Sequence, residues 1–223
     1  MPTYFAIKLA DPVQQRVDEL LRNLDAGVSA PQHDLHTRVS IELSDEIMRV
    51  CVEEMIARFQ AGGDGEGAGI LHTLLGILKS TSHMLIRQLL GKTGNDEVNR
   101  MAQFLRDRRH VLNGQVLCGF EMPADLAARF DRAFAAIAAG EGEAQRGDIQ
   151  QAMLAFADLA LARYYDDFVA YMNLGFIKRK ASDLGRATIS KGMHVAVNKL
   201  FPTLRQKELQ VWADYFSTLF VKA

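Results

Sequence analysis

Five residues at helical spacing carry the strongest candidate chemistry in this chain: His72, Gly76, Lys79, His83 and Arg87. Steps of +4, +7, +11 and +15 from His72 place them on one face of a helix whose opposite face is leucine. Two imidazoles, an ammonium and a guanidinium in one row attract an anion, phosphate above all. His72 is the expected reactive group of such a site, and Lys79, His83 and Arg87 its anion-binding groups. A second cluster is basic: Lys178, Arg179, Lys180 and Arg186, with Lys191 and Lys199 beyond. Positive charge beside Phe176, Phe201 and Trp212 suits a nucleic-acid backbone. The competing reading of both rows is a solvated polar helix face.

Several chemistries are excluded. Gly91-Lys92-Thr93 ends like a phosphate-binding loop, but Ile86 stands where its first glycine belongs, and the segment closes a helix instead of opening one. No Glu-x-x-His occurs, which removes the carboxylate-bridged di-iron bundle. Asp107 and His110 have the spacing of a metal pair, yet Arg108 and Arg109 between them oppose a cation. There is no Gly-x-Ser-x-Gly elbow. No metal site and no cofactor are implied.

Four short segments resemble known families. His72-Thr73-Leu74-Leu75-Gly76 resembles the phospho-accepting segment of histidine phosphotransfer domains, where a glycine one turn after the histidine admits the partner's phosphorylated aspartate. Leu75 replaces the lysine that pattern prefers. His33-Asp34-Leu35-His36-Thr37 is similar to a histidine-kinase acceptor box, with Arg38 in place of its proline. Ala181 to Ser190 resembles a helix-turn-helix core, although the Thr188 and Ser190 pair arrives about two residues early. Phe5-Ala6-Ile7-Lys8-Leu9 is similar to the first strand of two-histidine phosphoesterases, but no histidine has Ser or Thr two residues on, as that family requires.

The elements that must position these groups are mostly helices. Asp11-Pro12-Val13-Gln14, Asp148-Ile149-Gln150-Gln151 and Thr203-Leu204-Arg205-Gln206 each place an acceptor at a helix start and a glutamine three residues later. Ser44 reads as a further cap, with Leu43 and Met48 as its staple. Glycine-acid stretches at 62–69 and 140–147 divide the chain into blocks of about 1–61, 70–139 and 148–223; the first is expected to be a flexible loop. Phe5, Ile7 and Leu9 alternate with polar positions, and so do Leu35, Thr37, Val39, Ile41 and Leu43, which predicts a strand pair over about 4–9 and 35–43. Asn113-Gly114 predicts a turn before a strand through Val116, Cys118 and Phe120.

The 223 residues are 48% hydrophobic and 24% charged, values of a folded domain. Net charge is −1, but residues 1–60 carry six basic groups against ten acids, while 178–223 carry nine against three. Cys51 and Cys118 sit in apolar surroundings and read as reduced core thiols, and the N-terminus has no signal-peptide pattern, so a cytoplasmic location is expected. Residues 1–223 are expected to form a single, mainly α-helical domain of seven or eight helices with a minor strand pair. The expected function is non-enzymatic: a regulator or adaptor acting through helix-face contacts with a protein partner. The alternatives are histidine phosphotransfer through His72 and nucleic-acid binding through 178–199. Trp212, Phe216 and Phe220, flanked by Val211 and Tyr215, form an apolar arc that predicts a homodimer; no membrane partner is expected.

Overall fold

In the computed structural model, which describes residues 1–223, apolar residues at three- and four-residue spacing put 75% of the chain into helices. These are α1 (Asp11–Asp25), α2 (His33–Met48), α3 (Glu54–Gly62), α4 (Gly65–Leu90), α5 (Asn95–Arg108), α6 (Ala124–Ala138), α7 (Arg146–Leu161), α8 (Asp167–Ala170), α9 (Phe176–Leu200) and α10 (Gln206–Phe216). A π-helical segment, Arg49–Glu53, fuses α2 to α3, and another, Ala162–Asp166, fuses α7 to α8, so the rods number eight. Four short strands, β1 (Thr3–Ile7), β2 (Arg109–Leu112), β3 (Gln115–Glu121) and β4 (Phe220–Lys222), form one antiparallel sheet in the order β2-β3-β1-β4.

The longest contact is between α4 and α9, which run antiparallel along their whole lengths. Glycine makes it close: a β-carbon at Gly185 would lie 2.3 Å from Leu85 Cδ1, and one at Gly192 would lie 3.2 Å from Ile77 Cγ2. At one end Gly67 meets Leu200; at the other, Lys178 Nζ donates to the Leu89 carbonyl at 2.8 Å. The sheet packs on the helices through aromatic rings. Phe5, 1% exposed on β1, has ring centroids 4.8 Å from Phe156 and 5.5 Å from Phe120.

The turn at Asn113-Gly114 is as predicted: both have positive φ, 50° and 76°, and they join β2 to β3. The strand expected at 35–43 is instead the interior of α2, and β1 pairs with β3 and β4. Alternating Leu35, Thr37, Val39, Ile41 and Leu43 also contains a helical stripe, since His36, Val39, Leu43 and Glu46 are the buried set. Ser44 therefore lies mid-helix and caps nothing. Asp11 and Asp148 fall in the first turns of α1 and α7, where their charge favours the helix dipole, but neither caps with its side chain. In α10 it is Glu208 that accepts from the amide of the N-cap residue Arg205, two residues beyond the cap predicted at Thr203.

The expected loop at 62–69 is mostly helix. Asp64 accepts from the Gly67 amide and starts α4 at Gly65, leaving Gly63, at φ 86°, as the turn. The C-terminal aromatic arc is consumed by the fold: Trp212 and Phe216 are each 3% exposed and stack on one another and on Phe130. Val211, Tyr215 and Phe220, the rest of that arc, are half-buried.

His36, buried at 1% exposure in the first turn of α2, is held neutral: burial lowers its pKa from 6.5 to about 4. Unfolding restores proton uptake, so stability falls with acid between pH 6.5 and about 4, by about 1.4 kcal/mol per unit and about 3 kcal/mol in all. Glu46, lowered chiefly by its hydrogen bond from Arg49, adds loss only below its usual 4.5. Melting temperatures from pH 7 to 4.5 test this. His36→Leu is expected to flatten the acid limb; an equally steep limb in that variant refutes the assignment.

Candidate ligand cavity

Two series of apolar residues recur at a strict four-residue step: Leu43, Ile47, Cys51, Met55 and Phe59, and Met153, Ala157, Leu161 and Tyr165. In an α-helix four residues advance about 400°, so such a row drifts about 40° per step around the axis. Here both rows face one interior space, because each rod widens into its π segment midway and absorbs the drift. Such bulges are rare and occur often at functional sites.

The wider turns are supported from outside. In the first π segment the Val50 carbonyl accepts from the Tyr215 hydroxyl of α10 at 2.7 Å. In the second, the Arg163 carbonyl accepts from Arg108 Nε of α5 at 3.1 Å. Arg108 is 8% exposed, pairs with Asp167 and lies over the Phe104 ring, so its charge is buried only where it has partners.

The space they enclose is a cavity of about 280 Å³ walled by α2, α3, α4, α7, α9, α10 and both π segments. Of its 35 lining residues 32 are hydrophobic; the others are Ser40 and Ser44 on α2 and Ser82 on α4. Ser40 is spoken for, donating to the His36 carbonyl. Natural interiors leave few voids larger than a water molecule.

One polar group in this wall is unsatisfied. Tyr164, in the second π segment, keeps part of its ring accessible from the cavity, but its hydroxyl is shut off and has no hydrogen-bond partner. Burial holds its pKa well above the usual 10, so the group is a neutral O–H donor at physiological pH. Buried hydroxyls are nearly always bonded, and leaving one unmade costs about 1–3 kcal/mol. Cys51 in the same wall and Cys118 on β3 are free thiols, both pushed up to about 12 by burial, and hence inert.

The sequence-derived groups are placed elsewhere. His72 is exposed on α4 and shares a 3.3 Å hydrogen bond with Gln60, with open space above Gly76. Lys79 and His83 are not a free anion-binding pair: Glu53 accepts from Lys79, and Asp45 lies 2.7 Å from His83 Nε2. Arg87 is exposed at the far end of the row. These pairs bring α2 and the first π segment against α4, beside the serines of the cavity wall. In the basic cluster, Arg186 is held by Asp166 through two hydrogen bonds of 2.7 and 2.8 Å, while Lys178 is anchored on Leu89. Arg179 and Lys180 are exposed. The segment resembling a helix-turn-helix is one uninterrupted helix, so it has no turn. His33 is largely covered and His36 is buried, which leaves neither placed as an acceptor. Asp107 and His110 diverge, to Tyr171 and to the Gly119 carbonyl.

In comparisons with family models, curated proteins and solved structures, nothing matches this chain. The cavity residues were missed because aliphatic side chains announce no chemistry. The available signal was the four-residue step, which departs from the usual alternation of three and four.

The external hydrogen bonds to the π segments are expected to contribute to stability, since each ties a π segment to a helix distant in sequence. Tyr215→Phe and Arg108→Met are each predicted to destabilise the fold by about 1–3 kcal/mol, measured by urea unfolding. Two variants indistinguishable from wild type would mean that the π turns do not depend on these donors.

Proposed function

We propose that the protein is a non-enzymatic regulatory or carrier protein that binds one apolar small molecule between its two π-containing rods. The observation that carries this reading is a hydrophobic cavity of about 280 Å³ between the two rods, lined by 32 hydrophobic residues and three serines. Pockets for small ligands combine mostly apolar walls with a few placed polar groups. A dry cavity of roughly 150 Å³ already takes up benzene, so this larger one suits a bigger hydrocarbon body. The ligand class is therefore an apolar skeleton with few polar groups, for which Ser44 and Ser82 in the wall offer the hydrogen-bonding contacts. Histidine phosphotransfer retains in its favour only the exposure of His72 beside Gly76; the paired states of Lys79 and His83 weigh against an anion there.

Two measurements test the reading. Organic extraction of purified protein followed by mass spectrometry is expected to recover an apolar compound near one per chain, or an added fluorescent fatty acid is expected to bind at that ratio. Ala157→Leu, which fills the wall from α7, is expected to abolish binding while stabilising the fold by about 0.5–2 kcal/mol. Tyr164→Phe removes a hydroxyl that is shut off from the cavity and is expected to leave binding unchanged. Unaltered binding in the Ala157→Leu protein would place the ligand outside the cavity and sink the proposal.

A further inference from the structure

We propose that the outer face of α9 is a docking surface for an anionic phospholipid bilayer. The first half of this helix exposes large apolar side chains that nothing covers: Phe176 is 71% exposed, Ile177 82% and Leu184 71%. Val195, further along, is 43% exposed. At about 100° per residue these four fall within one arc of about 100°, and Lys180 and Lys191 project from the same arc. Lys180 Nζ lies 4.4 Å from the centre of the Phe176 ring, so charge and apolar surface are interleaved. Across the whole helix six basic residues stand against one acid, Asp183, which lies at the edge of the arc. Only Arg186 among the six is neutralised, by Asp166.

That combination identifies the occupant. An apolar stripe flanked and interrupted by lysine lies in the interface of an anionic membrane, with aliphatic and aromatic side chains among the acyl groups and ammonium groups at the phosphates. A nucleic acid would match the charge, but it offers no apolar phase for Ile177 and Leu184. The absence of any helix able to cross a membrane does not bear on this, because a ridge that lies on the surface spans nothing. The inner face of the same helix, through Ile189, Met193 and Val197, lines the cavity, yet the ridge rests on its own exposure and charge, independently of the ligand reading.

The test is cosedimentation of the full chain with phosphatidylcholine vesicles, with and without phosphatidylglycerol. Binding is expected to require the anionic lipid and to weaken as salt rises. Ile177→Asp combined with Leu184→Asp is expected to reduce it at least tenfold; both positions are exposed, so an unchanged melting temperature certifies the fold. Lys180→Glu combined with Lys191→Glu is expected to do the same. Ala157→Leu serves as a control, since it fills the cavity and leaves the ridge intact. No sedimentation with anionic vesicles at low salt overturns the proposal, as does equal binding by the aspartate variant. Binding to DNA or RNA that survives the aspartate changes and fails with the glutamate ones assigns the face to nucleic acid instead. A dimer of wild type that the aspartate variant dissolves assigns it to a second copy.

Discussion

The close antiparallel approach of α4 and α9 is the constraint on which the rest of this structure depends. Gly185 and Gly192 remove the side chains that would hold these rods apart, and Leu85 and Ile77 fill the space. With the two helices in contact over their length, α2 and α3 close on one flank and α7 on the other. The cavity is what remains between those flanks. The same contact turns the opposite face of α9 outward, so the exposed Phe176, Ile177 and Leu184 and the buried Ile189 and Val197 follow from one packing choice.

The cavity wall shows how a costly local geometry is maintained. A π turn disturbs the regular ladder of backbone hydrogen bonds, and a buried carbonyl without a donor is strongly disfavoured. Tyr215 and Arg108 reach the two segments from helices distant in sequence, and each donates to a carbonyl within its segment. Tyr215 is itself set by α10, whose Trp212 and Phe216 are locked in the aromatic cluster with Phe130, Phe156 and Phe220. The sheet enters through the same cluster, since Phe5 on β1 touches Phe156 and Phe216. Core packing and cavity geometry are therefore one network, in which satisfying the π carbonyls requires the aromatic cluster to be assembled.

Electrostatics supports this arrangement without creating a second polar site. The α4 row of His72, Lys79, His83 and Arg87 is a seam: Glu53 and Asp45 from the neighbouring rod take up Lys79 and His83. Partly exposed pairs of this kind contribute little stability each. Both pairs tie the α2–π rod to α4, the two elements that carry Ser44 and Ser82 of the cavity wall. The acidic excess of residues 1–60 and the basic groups later in the chain meet partly in this way, as Asp18 with Arg109 and Asp25 with Arg106 also show.

Local rules were enough for the mainly helical class, the long leucine-faced α4, the Asn113-Gly114 hairpin turn and the buried thiols, because periodicity and turn chemistry act within a few residues. They failed at 35–43, where alternation and helical spacing coincide on Val39 and Leu43 and only packing against α1, α4 and α5 selects the helix. They failed again at 62–69, where one carboxylate, Asp64, converts a glycine run into a helix start. The row on α4 could be read as a face from spacing alone, but whether its cations were free depended on carboxylates at least 26 residues away. The four-residue step of the cavity rows was present in the sequence throughout. What it lined was decided by the tertiary structure, because a cavity is a property of what several helices fail to fill together.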